Sequence, residues 1–230
     1  PREVLAITFP NTAAGERRER VGALLAKHGQ GGGQPPFVST FHSLGLSIIK
    51  EYAKLLGYKR TPAIYDRSDC LREVKNALKA IGEVEFEPRM VLGAISRAKG
   101  DGMHLAEYSE GAASFRQRTI AAAWALYEKT LREDGAVDFD DLLLKAVELL
   151  HKHPEVRESY LRRWRYVHID EYQDTNAVQE RLAEMLVGPE QNICVVGDPD
   201  QTIYGWRGAK IENILHFEKK YPKAKIVLLE

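Results

Sequence analysis

Cysteine is nearly absent from this chain: two residues in 230, Cys70 and Cys194, far apart and without a CxxC or Cys/His spacing. That excludes a disulfide framework or a cysteine zinc site as the source of stability, and it fits a reducing, cytoplasmic setting. Long apolar runs are missing as well. No stretch reaches the roughly 20 uninterrupted apolar residues of a membrane span, and the chain opens on Pro1-Arg2-Glu3 instead of a signal sequence. Net charge is also missing, since Lys+Arg and Asp+Glu both count 33. Bulk electrostatics therefore argue neither for nor against a polyanionic partner, and any such site has to be local. No Gly-x-x-x-x-Gly-Lys-Ser/Thr occurs, so the loop whose amides and lysine cradle nucleotide phosphates is not among these residues. The chain lacks an initiating methionine and opens almost directly into a strand, so it reads as a piece of something longer.

What is present is an ordinary globular composition, with 44% hydrophobic residues, enough for a sizeable core. The first third alternates strand and helix. Residues 4–9 are apolar and β-prone, and 13–27 carry Val21, Leu24 and Leu25 at helical spacing, with Asn11 or Thr12 as candidate N-cap. After a Gly/Pro-rich loop at 28–36, a short strand at 37–41 leads into a helix over about 43–56. From 67 to 136 strand signals disappear, and amphipathic helices follow one another at 69–81, 88–98 and 112–133. Two more helices then precede strands at 166–169 and 193–196, with a last strand at 225–229. Strands separated by helices imply a mainly parallel sheet whose connections can hold an inserted subdomain. The expected organisation is α/β over 1–66 and 137–230, with an all-α insertion over 67–136.

Two segments carry chemistry. Tyr166-Val-His-Ile-Asp170-Glu171-Tyr172-Gln173-Asp174-Thr175-Asn176 is a mostly apolar strand ending in adjacent carboxylates. Beyond the carboxyl end of a strand an aspartate can hold Mg²⁺ on a nucleotide's phosphates, and a neighbouring glutamate can orient or deprotonate water. In Ile193-Cys-Val-Val-Gly197-Asp198-Pro199-Asp200-Gln201, Gln201 is neutral and long enough to contact a terminal phosphate or the attacking water. The loop then continues through Tyr204, Trp206 and Arg207, placing two flat rings and a guanidinium between glycines at 205 and 208. Base stacking on such rings contributes roughly 1 to 3 kcal/mol per base without reading sequence, which suits single-stranded nucleic acid.

The pair of segments is similar to motifs II and III of the UvrD/Rep/PcrA-type superfamily 1 DNA helicases. The rest of the chain agrees in order: residues 5–21 look like motif Ia, Ser39-Thr40-Phe41-His42-Ser43 like motif Ib, and Val137-Asp-Phe-Asp-Asp-Leu-Leu143 like the segment closing the helical insertion. The resemblance implies the first motor domain, RecA-like (a P-loop NTPase fold) and incomplete, of a helicase using ATP and Mg²⁺. Asp170 would support Mg²⁺ through water, Glu171 would activate water, Gln201 would sense the γ-phosphate, and Arg207 would link nucleotide and DNA sites. Phe9, Asn11, Thr40, His42, Tyr204 and Trp206 would line the single-stranded DNA path. Also implied are 3′ to 5′ movement, action at single/double-strand junctions, a role in DNA repair or replication, a second motor domain, and a bacterial, nucleoid-associated location.

Pro10 and Thr12 stand where the family usually has Thr and Lys, removing one backbone donor and one cation near the DNA path, for which Arg17 and Arg18 are candidate replacements. Asp138, Asp140 and Asp141, just before an apolar helical run, read as structural capping residues. Two other readings stay open at this point: a single-stranded DNA-binding module that has lost catalysis, and the motor part of a helicase-nuclease. The absent phosphate loop and downstream arginines generate an expectation, because both supply transition-state charge stabilisation. The purified 230-residue chain should give no DNA-stimulated ATP turnover in a phosphate-release assay; robust turnover would overturn it.

Overall fold

Short β-branched runs bounded by turn residues become parallel strands, and helices separate them. In a computed structural model of the chain, the described residues are 1–9, 11–29, 33–201 and 212–228, without the side chains at 11–14, 16, 17 and 199. In chain order the elements are β1 (Val4–Thr8), α1 (Asn11–Lys27), β2 (Phe37–Thr40), α2 (Phe41–Glu51), β3 (Ala63–Ile64), α3 (Arg67–Ala80), α4 (Pro88–Gly100), α5 (Leu105–Glu110) and α6 (Phe115–Glu133). They continue with β4 (Ala136–Val137), α7 (Asp141–Lys152), α8 (Pro154–Arg163), β5 (Tyr166–Ile169), α9 (Ala177–Met185), β6 (Ile193–Val195), α10 (Glu212–Leu215) and α11 (Phe217–Lys220). Single 3₁₀ turns lie at Tyr172–Asp174 and Pro199–Gln201. No helix among the described residues is long and apolar enough to cross a membrane.

The chain divides into two compact units, one of Pro1–Phe41 with Pro154–Glu230, the other His42–His153. In the first, a four-stranded sheet runs in the order β2-β1-β5-β6, every neighbouring pair parallel. This is the α/β fold with a parallel sheet expected from the sequence. Leu5, Ile7, Val38, Val167 and Ile169 are its buried strand residues, each contributing about 1.5 to 3 kcal/mol on burial. Tyr160 stacks on Trp164 at 5.2 Å beside them in the sequence, both buried. The strand expected at 225–229 does not form over its described part. Ile226, Val227 and Leu228 are 63%, 75% and 84% exposed, and without a neighbouring strand to complete its ladder an apolar run has no reason to stay extended. Helix α1 starts at Asn11, so Asn11 and Thr12 lie in its first turn instead of capping it.

The second unit is helical apart from the parallel pair β3–β4. Its core collects α3, α4 and α6 around Val74, Ile95, Ala123, Trp124 and Tyr127, all fully buried. Local capping sets the helix starts. Asp66 accepts from the amides of Ser68 and Asp69 while Asp69 returns the bond, and Ser114 and Gln117 do the same for α6, which is why that helix begins at Phe115 and not at 112. The unit extends beyond 67–136, since Ile49 of α2 and Leu142 of α7 bury together with Val137.

Lys99 is fully buried, its Nζ 2.6 Å from Asp138 and 2.8 Å from Asp141. Burial alone would lower the ammonium's pKa, but the two carboxylates outweigh it and hold Lys99 above its ordinary value. Burial likewise works to raise Asp141, and the Lys99 charge overrides it and keeps that carboxyl low. Asp138 also accepts from the Tyr127 hydroxyl at 3.0 Å and from the Asp141 amide at 2.7 Å. Asp138 thus bonds the first amide of α7 and is one wall of a buried ion pair besides, whereas Asp140, at the N-cap position, makes no side-chain cap bond.

Gly45 and Asp140 generate tests. A Cβ on Gly45 would run into the backbone carbonyl of Leu142, with the carbonyl carbon 2.9 Å away. Gly45→Ala, which gains up to about 1 kcal/mol in a free helix, is therefore expected to lower stability by about 2 kcal/mol in urea melts. Burial, then the Asp138 charge, pushes the Asp140 carboxyl up to about 6. Its folded pKa exceeds its unfolded one, so stability falls as pH rises from about 4 to 6 and stays reduced above. Asp140→Asn should thus stabilise by on the order of 1 kcal/mol at pH 7.5, the α7 N-terminus offsetting part of the gain. At pH 4 most of the difference should be gone; equal gains at both pH values would count against the buried-carboxyl account.

Candidate functional site

All four strands of the sheet run the same way, so their carboxyl ends share one edge, where ligands of open α/β sheets bind. Thr8 and Phe9 lie there at the end of β1, Thr40 at the end of β2, Asp170 and Glu171 after β5, and Gln201 in the turn after β6. Phe9 packs edge-on against Phe41 with ring centroids 5.8 Å apart. Thr40 is buried. The Thr8 hydroxyl is buried without a hydrogen-bond partner among the described residues, a deficit of about 1 to 3 kcal/mol that a bound group or water would relieve.

The β5 ladder runs one residue past the strand, the Asp170 amide donating to the Ile7 carbonyl at 3.0 Å. Glu171 then adopts φ 52°, ψ 43°, the left-handed region, at roughly 1 to 2 kcal/mol for a residue with a Cβ. That sharp turn starts the 3₁₀ segment, in which the Tyr172 amide donates to the Val196 carbonyl at 3.0 Å. Both acids are half-buried.

Gln173 is 1% exposed and both ends of its amide are engaged. Its Nε2 donates to Glu171 Oε2 at 2.8 Å, and its Oε1 accepts from the Asp198 amide at 3.1 Å. The orientation is forced, because a backbone N–H can only meet the oxygen end. Asp198 Oδ2 in turn accepts from Gln201 Nε2 at 2.6 Å, and its Oδ1 from the Asp200 amide at 3.0 Å. Gly197 has no room for a side chain: a Cβ would collide with Gln173 Oε1 and sit 2.8 Å from Ile214 Cδ1. Further along, buried Asn213 donates to the carbonyl and hydroxyl of Thr175 at 3.2 and 3.0 Å.

Of the other expected residues, His42 belongs to the second unit, where it stacks on Phe139 at 3.9 Å with the rings 16° from parallel. Phe139 is 55% exposed, a flat apolar surface inside the Asp-Phe-Asp segment that sequence reading treated as structural. Tyr204, Trp206 and Arg207, and the side chain of Asn11, lie outside the described residues. Arg18 donates to the Val38 carbonyl at 3.0 Å, so its guanidinium ties α1 to β2. Gln173 and Asn213 were also missed by sequence reading. The signal was a Gln two residues after the Glu, at a spacing that lets it bond back.

Among the described residues no three carboxylate, imidazole or thiol groups converge into a metal cage. One or two carboxylates at a strand end fit Mg²⁺, which takes few protein ligands and completes its shell with phosphate oxygens and water.

A family model for the UvrD/REP helicase N-terminal domain matches residues 1–222. The chain is 42% identical over 232 aligned positions to the ATP-dependent DNA helicase PcrA of Bacillus subtilis (strain 168), all of this chain against 31% of that protein. The PcrA of Staphylococcus aureus (strain Mu50) gives the same identity and shares, and that of Staphylococcus epidermidis gives 41%. The chain thus spans just under a third of the length of these relatives. With that match over nearly its whole length, the chain belongs to the UvrD/REP helicase N-terminal domain family.

Proposed function

We propose that this chain is part of the first motor domain of an ATP-dependent DNA helicase, which couples ATP hydrolysis to 3′ to 5′ movement along single-stranded DNA and to unwinding at single/double-strand junctions in repair or replication. The observation that carries the reading is the hydrogen-bonded edge on which Asp170 and Glu171 meet the turn bearing Gln201. Within it, 67–136 forms the helical insertion of a motor domain otherwise made of 1–66 and 137–230. A second motor domain completes the machine. The edge strand β6 leaves Val196 48% exposed, and an apolar edge invites a further strand; the strand carrying the phosphate loop would cover it.

The roles follow from position. Glu171 accepts a proton from water as the water oxygen bonds to the γ-phosphorus and the bond to the bridging oxygen breaks, releasing ADP. Gln201, 2.6 Å from Asp198 in this structure, contacts the γ-phosphate or that water. Mg²⁺, held by Asp170 through water, would neutralise charge on the phosphates. Arg207 links this edge to the DNA. Phe9, Asn11, Thr40, His42, Tyr204 and Trp206 line the single strand, and Phe139 extends the aromatic surface that His42 begins.

The full-length gene product should hydrolyse ATP only when single-stranded DNA is supplied, and unwind tailed duplexes. Glu171→Gln should cut kcat by about 100-fold or more while ATP still binds. Trp206→Ala should weaken single-strand binding by about 1 to 3 kcal/mol at unchanged melting temperature, and binding should fall as salt rises. Absence of DNA-stimulated turnover in the wild-type protein would sink the reading.

A further inference from the structure

Gln173 is the residue at this edge that the motif roles above leave without a task. It is almost wholly buried, yet it is not a core filler: its amide spans 2.8 Å to the Glu171 carboxylate and 3.1 Å to the Asp198 amide. From Asp198 the line continues 2.6 Å to Gln201. The proton acceptor and the phosphate-contacting side chain are thus joined through Gln173 and Asp198, with the neutral amide as the link that touches Glu171. The fold reserves the space for it, since Gly197 is the one residue type that leaves Gln173 Oε1 in place. Glu171 also needs the tether, because its left-handed backbone projects the carboxylate from a turn and not from a regular element.

We propose that Gln173 is a positioning residue for ATP hydrolysis, holding the Glu171 carboxylate in register with the loop that carries Gln201. The inference rests on the helicase reading above. Its chemistry is specific to an amide. The N–H₂ end orients Glu171 through a hydrogen bond without adding a charge beside it, and the C=O end fixes the Asp198 backbone. A leucine fills the volume and supplies neither end. A glutamate copies the amide only while protonated, when its O–H donates to Glu171 and its C=O accepts from Asp198.

That last point gives a readout that loss of packing would not produce. In full-length protein, Gln173→Leu should lower kcat about tenfold to 100-fold at every pH, with the KM for ATP within about twofold if the amide serves the chemical step and not binding. Gln173→Glu should retain activity near pH 6 and lose it progressively towards pH 9. The pair then sheds its shared proton, and two facing carboxylates repel; wild-type activity should not fall over that range. A Gln173→Glu profile parallel to wild type, merely scaled down, would refute the positioning role. Independently of activity, hydrogen exchange at the Asp198 amide in full-length protein should be at least about tenfold faster in Gln173→Leu, with the Leu182 region unchanged. Unchanged exchange at Asp198 would remove the tie itself. Should the wild-type enzyme prove inactive, the helicase reading fails while the exchange result still decides whether Gln173 joins the two segments.

Discussion

The functional edge hangs on one backbone event: β5 keeps its ladder through the Asp170 amide and then breaks into the left-handed region at Glu171. A strand that simply continued would alternate its side chains across the sheet and send the two acids to opposite faces. The left-handed residue prevents that, at a strain cost that neighbouring bonds have to offset. They are present on both sides. The Tyr172 amide is caught by Val196 of the neighbouring segment, the Asp174 amide closes back on the Glu171 carbonyl, and Gln173 turns inward to hold the Glu171 side chain.

A related economy shapes the buried polar clusters of each unit. A buried donor or acceptor left unmade costs about 1 to 3 kcal/mol, more than a made one contributes, so a polar side chain in a core is favoured where its ends find partners, and the unmet Thr8 hydroxyl is a departure from that pattern. In the first unit Gln173 engages both ends, and Asn213 closes on Thr175. In the second unit Lys99 is enclosed by Asp138 and Asp141, with Tyr127 supplying a further donor to Asp138. Removing one partner of such an ion pair is far more damaging than the pair is stabilising, because the survivor is left charged in a poorly polarisable interior.

Much of this was legible in the sequence. Short β-prone runs rich in apolar residues mark 4–9 and 166–169, and β1 and β5 form there within a residue or so, β5 alternating buried Val167 and Ile169 with exposed Tyr166 and His168. Helices with an apolar stripe and a capping residue were found as well. What escaped were features whose cause is tertiary. The run at 225–229 has strand composition, but composition cannot supply a pairing partner. The two-residue strands β3 and β4 carry no periodic signal at all. Lys99 looks like any surface lysine of an amphipathic helix until the aspartates from a segment some 40 residues away, 39 and 42 positions on, close over it. Gln173 was hidden in the opposite way, inside a motif whose acids drew the attention, and only the position of Asp198 reveals what its oxygen meets.

The contrast between the two polar clusters explains their chemistry. Around Lys99 nothing has to change charge, so full ionic pairing is the cheapest way to bury a cation, and the Asp141 carboxyl is held on the ionised side by it. Beside Glu171 such a solution would work against the proposed role, since a cation in contact lowers a carboxylate's affinity for a proton. A second carboxylate would err the other way and hold a proton in advance. An amide orients the acid without placing a net charge beside it, and it offers a donor to the carboxylate and an acceptor to a backbone N–H within one planar group. The requirement for a glycine at 197 then follows: once an amide must lie between β5 and the loop after β6, the neighbouring residue has to give up its side chain to make room.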